Sequence, residues 1–374
     1  MKDKRPEWVP EKAGKEFTTK VMPGVKTQHD GLPNNNEKRT LKAGVKRREL
    51  SVDEYFNGIM AKDRRVLAQA ITLIESNSEK HMKLAQALIK QILPHSGKSI
   101  RVGISGVPGA GKSTLIETLG LNLINAGHKV AVLAIDPSST LSKGSILGDK
   151  TRMEFLSREK DSFIRPSPSS GALGGVTRKT RESILLCEAA GFDVIIIETV
   201  GVGQSEITVR SMVDFFLVTQ ISGAGDELQG IKKGIIEMAD MIVINKADGD
   251  NIQRARMAEG EFNQVLHYLT PATKGWQTLA LACSALKNIG IDTIWDKVLE
   301  FKEITIENGI FEKRRKEQLL EWMHSMIEES LRTSFYNNPL VKTLIPEVEN
   351  KLITDEMTAT QAVTELLDKY RNQS

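Results

Sequence analysis

One segment restricts this chain more than any other: Gly106-Val107-Pro108-Gly109-Ala110-Gly111-Lys112-Ser113, set between an apolar run, Val102-Gly103-Ile104-Ser105, and helix-forming sequence from Thr114 onward. Gly-x-x-x-x-Gly-Lys-Ser between a strand and a helix is a phosphate cradle. Its glycines let successive backbone N–H groups turn inward around phosphate oxygens, and the N-terminus of the following helix adds favourable partial charge. Residues Gly106 to Thr114 are therefore expected to hold a nucleoside triphosphate. Lys112 should reach its β- and γ-phosphates, and the Ser113 hydroxyl should bind Mg²⁺.

The surrounding pattern predicts the sheet behind this loop. Short β-branched runs at Arg101 to Ser105, Lys129 to Ile135, Asp193 to Glu198, Phe215 to Gln220, Met241 to Asn245 and Leu279 to Cys283 read as buried strands. Helical stretches alternate with them at Lys112 to Ala126, Lys179 to Ala190, Gly230 to Met238 and Asn251 to Leu269. Alternation implies crossover units, so the expected class is α/β, a doubly wound and mainly parallel sheet over residues 96–300. In residues 49–95, Tyr55, Ile59, Leu67, Ile71, Leu84, Leu88 and Ile92 recur at helical spacing behind a Ser51-x-x-Glu54 capping signal, which predicts two or three helices. After Trp295 charged, helix-forming sequence takes over, and residues 301–374 read as a helical appendage. It either packs on its own chain or serves as a dimerisation arm. Residues 1–48, rich in Lys, Arg, Pro, Asn and Gly without periodicity, read as a flexible tail.

Nucleotide identity rests on Asn245-Lys246-Ala247-Asp248, which ends the expected strand Met241-Ile242-Val243-Ile244. There the Asp248 carboxylate can accept hydrogen bonds from guanine N1–H and the 2-amino group. Adenine offers neither donor, so a desolvated Asp248 would be left unpaired against it at a cost of roughly 1–3 kcal/mol. GTP is expected over ATP. Ser284-Ala285-Leu286, after the next strand, fits a loop whose backbone N–H groups meet guanine O6; by itself it would suggest only a helix cap. The strand Val194 to Ile197 ends in Glu198-Thr199-Val200-Gly201, where Glu198 can reach the metal's water shell and the Gly201 N–H can sense the γ-phosphate. Gln204 is a candidate to orient the attacking water, or a solvated loop amide. Asp136, at the end of a strand, is a candidate for Mg²⁺ or water positioning. Asp149 reads either as a further metal ligand when its loop orders or as a surface acid.

Composition excludes several classes. A hydrophobic fraction of 40% over 374 residues is ample for a core, while a net charge of +3 and 5% aromatic residues offer no basic, aromatic-interleaved stripe for nucleic acid. No apolar run is long enough for a membrane span and no secretory stretch opens the chain. The expected compartment is cytoplasmic. A mitochondrial matrix location for a eukaryotic source is disfavoured by Asp3, Glu7, Glu11 and Glu16 in the leading segment, which transit peptides avoid. Cys187 and Cys283 stand alone in apolar sequence, and the 6 histidines are dispersed, so neither a disulfide framework nor a soft-metal cluster is expected. No Asp-x-His-x-x-Gly motif occurs, so cobalamin is not expected to be held directly by this chain.

Further segments carry a family likeness: Arg101 to Gly109, Asp136-Pro137-Ser138-Ser139, Gly144 to Met153, Ile164-Arg165-Pro166-Ser167-Pro168, Gly174-Gly175-Val176, Glu198 to Glu206 and Gly225 to Gly234. With them the chain from about Tyr55 to Trp295 closely resembles the MeaB family, also labelled ArgK-type, the GTPase chaperones of cobalamin-dependent methylmalonyl-CoA mutase. The resemblance implies a homodimer with N-terminal helices, a central P-loop GTPase domain and a C-terminal dimerisation arm. It also implies that GTP binding and hydrolysis gate loading of adenosylcobalamin onto the mutase and protect it from inactivation. Gly223 to Lys233, with Asp226, Glu227, Gln229, Lys232 and Lys233, looks like the family's partner-responsive switch; read without the family, its acids would cap the helix that follows. Three other classes compete. A metallochaperone GTPase should carry a Cys/His cluster. A transport-associated ATPase or kinase is disfavoured by the guanine-reading Asn245 to Asp248. A membrane-directed signalling GTPase should show a lipid anchor or a basic amphipathic helix.

Overall fold

Valine and isoleucine runs buried on both faces make the centre of the protein. In the computed structural model, which describes residues 49–135, 153–167, 173–199, 204–223 and 233–372, the unit Leu50–Ser374 is organised on a seven-stranded sheet. Its strands are β1 (Ile100–Gly106), β2 (Val130–Ile135), β3 (Ser162–Ser167), β4 (Val194–Thr199), β5 (Phe215–Ile221), β6 (Met241–Asn245) and β7 (Leu279–Ala282). The order is β3-β2-β4-β1-β5-β6-β7 and every pairing is parallel. The chain leaves β1 for β2 on one side and later fills β5, β6 and β7 on the other. The crevice at the C-terminal end of β1 is thus a topological switch point, where doubly wound sheets hold ligands.

Side chains alternate between the two faces, as the period of two requires. Ala131, Leu133, Ile195, Ile197, Phe216, Val218, Ile242 and Ile244 face one core. It is covered by α1 (Val52–Met60), α2 (Arg64–Glu75), α3 (Glu79–Ile92), α6 (Leu173–Ala189), α7 (Gln204–Arg210), α8 (Lys233–Met238) and α9 (Ile252–Tyr268). Val102, Ile104, Val132, Ile196, Leu217 and Val243 face the other, beneath α4 (Lys112–Asn125), α5 (Glu154–Arg158) and α10 (Ile291–Glu307). Phe301 of α10 wedges edge-on between Phe215 and Trp276, with centroids 5.0 and 5.3 Å away. Burial of this kind stabilises by about 25 cal/mol per Å² of apolar surface.

Helices flank the sheet at both ends of the described residues. Ser51 and Glu54 form the expected capping box (Glu54 N to Ser51 Oγ, 3.2 Å; Ser51 N to Glu54 Oε2, 2.8 Å). The first helices number three, and Ile59, Leu67, Ile71, Leu88 and Ile92 are buried in the same core as α6. α10 is continuous from Ile291 to Glu307, so the expected division at residue 300 falls inside a helix whose Phe301 and Thr305 are buried. Beyond it run α11 (Ile310–Asn337), α12 (Pro339–Ile353) and α13 (Ala359–Arg371). No helix among the described residues is long and apolar enough to cross a membrane.

One strand is additional to the six expected. β3 contains Arg165-Pro166, which argues against a strand because proline lacks a ladder donor. It is tolerated because β3 is an edge strand, paired among the described residues only with β2. Of the expected helix Gly230 to Met238, the described part is Lys233–Met238.

Candidate nucleotide-binding site

Close approach of β5 to the end of β1 forces glycine at the start of the loop. Gly106 has φ 143°, and a Cβ there would stand 2.0 Å from the Thr219 carbonyl oxygen, a backbone atom that cannot swing away. Gly111, φ 83°, caps α4 with no side chain bonded across the first turn, so the leading N–H groups of α4 face the loop. Gly106→Ala should therefore cost about 1–3 kcal/mol in backbone strain alone and abolish tight nucleotide binding. Denaturant unfolding together with a GDP titration checks this; a variant binding GDP like the parent would refute it.

Lys112, 8% exposed, lies inside the loop it serves. Its Nζ donates to the carbonyls of Gly106 (2.9 Å) and Val107 (3.2 Å). Next to it the Ser113 hydroxyl donates to Oε1 of Glu198 at 3.1 Å, since Glu198, one residue before the end of β4, is in register with Ile104 of β1. Below this pair, buried Thr199 donates its hydroxyl to Oγ of buried Ser105 (2.8 Å), tying the ends of β1 and β4 together. Sequence reading singled out neither residue for this role, because a serine and a threonine at two strand ends carry no motif.

At the base-reading end, Asn245 is 2% exposed and acts as a strut between two loops. Its Nδ2 donates to the Ala110 carbonyl (2.8 Å), and its Oδ1 accepts from the Ala285 N–H (3.0 Å). The Cys283 thiol lies 3.6 Å from the same Oδ1; burial pushes its pKa up to about 12, so it stays protonated and can donate. Lys246 follows in the left-handed region, φ 63°, and is exposed. Half-buried Asp248 accepts a hydrogen bond at Oδ2 from the Ser284 hydroxyl, and that hydroxyl accepts in turn from the Lys287 N–H (3.1 Å).

Three backbone donors at Ser284, Ala285 and Leu286 are expected for guanine O6, and the structure sorts them. The Ser284 N–H donates to the Ile289 carbonyl (3.0 Å), and that of Ala285 is held by Asn245. The Leu286 N–H has no acceptor among the described residues, on a residue 74% exposed. Of the three, the Leu286 N–H is thus the one without a partner among the described residues.

Other expected site residues are placed in part or not at all. Val107, Pro108, Gly109, Ala110 and Thr114 lie in the loop and the first turn of α4, Gln204 opens α7 and Lys233 opens α8. Asp136, Asp149, Gly201, Asp226, Glu227, Gln229 and Lys232 lie outside the described residues.

A parallel sheet with a phosphate loop at its switch-point strand and Asn-Lys-x-Asp at the end of β6 defines the protein as a P-loop nucleotide-binding protein of the GTPase kind. The chain belongs to the family described as methylmalonyl Co-A mutase-associated GTPase MeaB, whose sequence model matches residues 67–339. It is 48% identical to the Escherichia coli GTPase ArgK over 290 residues, 78% of this chain and 88% of that one. It is 44% identical to the Mus musculus methylmalonic aciduria type A homolog, mitochondrial, over 331 residues, 86% of this chain and 80% of the relative. A crystal structure described as a LAO/AO transport system kinase superposes with TM-score 0.70 at 38% identity, covering 87% of this chain and 99% of that one. The protein is accordingly a GTP hydrolase that binds GTP and GDP.

Proposed function

We propose that this protein hydrolyses GTP to GDP and phosphate in order to gate adenosylcobalamin loading onto a cobalamin-dependent acyl-CoA mutase, methylmalonyl-CoA mutase, and to protect that mutase from inactivation. The observation that carries the reading is the family match, which spans residues 67–339 and names the mutase association. The name of the mouse relative agrees with it.

In this reading water attacks the γ-phosphorus in line and the bond to the β–γ bridging oxygen breaks. Lys112 exchanges its two carbonyl partners for phosphate oxygens and offsets the charge that spreads over them. The Ser113 hydroxyl and the Glu198 carboxylate, 3.1 Å apart, are hard oxygen donors of the kind Mg²⁺ takes, and they fit a role in holding it, with Asp136 and Asp149 assigned to the same ion. Bound Mg²⁺ neutralises phosphate charge. Asp248 reads the guanine donors, the Leu286 N–H takes O6, Gly201 senses the γ-phosphate and Gln204 orients the water. Asp226, Glu227, Gln229, Lys232 and Lys233 respond to the partner. Two copies pair through the C-terminal helices, where α11 leaves Leu319, Met323, Ile327 and Leu331 exposed at four-residue spacing. Such a stripe suits another helix.

GTP turnover measured alone and with the cobalamin-dependent acyl-CoA mutase of the same organism tests the proposal. Stimulation of tenfold or more that an unrelated mutase does not produce is the expected result. With neither stimulation nor a complex, the GTPase stands and the chaperone role falls.

A further inference from the structure

The helix that carries the phosphate loop also holds the loop that reads the base. α4 begins at Lys112, and Thr118 and Asn122, four residues apart, lie on one of its faces. Thr118 donates its hydroxyl to the Ala285 carbonyl at 2.8 Å. Asn122 and Asn288 exchange amide hydrogen bonds in both directions, Nδ2 of Asn122 to Oδ1 of Asn288 at 2.9 Å and Nδ2 of Asn288 to Oδ1 of Asn122 at 3.1 Å. The Asn122 amide donates a further bond to Asp292 Oδ1, at 3.0 Å, in the first turn of α10.

Asn288 is the turning point of the base-reading loop. Ser284 and Ile289 close that loop by a two-way backbone bridge, and Asn288 between them has φ 53°, a conformation asparagine tolerates better than most side chains. The Ala285 N–H is held from outside the loop by Asn245, and its carbonyl accepts from Thr118 outside the loop as well as from the Asn288 N–H within it (3.4 Å), while the Asn122 amide fixes the turn. None of these polar atoms belongs to the apolar core, which α4 reaches through Leu115, Ile116, Leu119 and Leu123.

We infer that Asn122, assisted by Thr118, is a positioning residue for guanine recognition: it braces the Ser284 to Ile289 loop against the phosphate-loop helix and so sets how long guanine nucleotide is retained. The inference rests on the reading that this loop and Asp248 take the base. Phosphate chemistry at Lys112 is not touched by the brace, so retention and hydrolysis separate.

The experiment follows release of methylanthraniloyl-GDP from the full chain by stopped flow, alongside single-turnover hydrolysis of pre-bound GTP. Asn122→Ala and Asn288→Gly, the latter keeping the left-handed backbone without the amide, should each speed release about tenfold, the scale of one lost net hydrogen bond. The double variant should release no faster than Asn122→Ala alone, because Asn288→Gly removes only bonds that Asn122→Ala already removes. Single-turnover hydrolysis of GTP already bound to Asn122→Ala should stay within twofold. Release within twofold of the parent, multiplying effects in the double variant, or hydrolysis falling in step with release would each overturn the brace. Asp248→Asn in the same assay separates the two readings. If it speeds release while Asn122→Ala does not, the brace alone fails; if it leaves release unchanged, the base-reading assignment fails with it.

Discussion

Lys112→Ala should lower GTP turnover at saturating nucleotide by at least a hundredfold, in a protein that still folds. Phosphoryl transfer leaves a protein little covalent work, so the rate depends on positioning and on fixed charge facing the oxygens of the transition state. Removing one preorganised donor of this kind typically costs about 10²–10³ in rate. Lys112 is well placed to act as one, since its ammonium is held inside the loop by the carbonyls of Gly106 and Val107. It reaches phosphate oxygens by giving up two weak partners, and without it those carbonyls would face the anion directly. Folding should suffer less, because the loop glycines keep their conformation. Phosphate release measured under saturating GTP, with circular dichroism as the folding control, checks the claim. Turnover within tenfold of the parent would remove Lys112 from the chemistry.

The phosphate loop and Asn245-Lys246-Ala247-Asp248 are legible in the sequence because each is contiguous and each needs a strand before it. Both occupy strand ends on the same edge of the sheet. The link between them is less legible. Asn245 reads as one letter of a base-recognition motif, yet its side chain joins the phosphate loop to Ala285, contacts that depend on how β6 is placed beside β5 and β7. The same holds for Asn122 and Asn288, which pair across a separation of 166 positions with no periodicity to announce them. β3 is hidden by Arg165-Pro166, whose cost vanishes at a sheet edge. Arg314, Arg315 and Gln318 look like the solvated face of a charged helix. In the fold Arg314 and Arg315 pair with Asp240 and Asp214, more than seventy residues away, and buried Gln318 donates to the Val213 carbonyl; only the assembled sheet brings those groups to them.

Asp240→Ala should be among the most destabilising single changes in this chain, by about 3–5 kcal/mol, the usual consequence of removing one partner from a buried ion pair. Asp240 precedes β6 at the edge of the sheet opposite the nucleotide site, and its side chain is fully buried. Oδ2 accepts from Nη1 of Arg210 at 2.6 Å and from the Phe216 N–H at 2.9 Å. Oδ1 accepts from Nη2 of Arg210 at 3.2 Å and from the Thr273 hydroxyl. Arg314 of α11 stands 3.8 Å away. Burial, and then the like charge of Arg210, hold the Arg314 guanidinium below its ordinary value, with Asp240 and Asp214 opposing. Without Asp240 two crowded, desolvated cations lose their shared counter-charge. Asp240→Asn keeps an acceptor for Phe216 and should cost less than alanine. The loss should be structural rather than chemical, since Arg210 ends α7 and Arg314 roots α11: the C-terminal helices should become more susceptible to protease, while the molecules that remain folded hydrolyse GTP at the parent's rate. Denaturant midpoints paired with limited proteolysis would show this. A stability change below about 1 kcal/mol, typical of surface pairs, would mean that the carboxylate is not what secures α11 to the sheet.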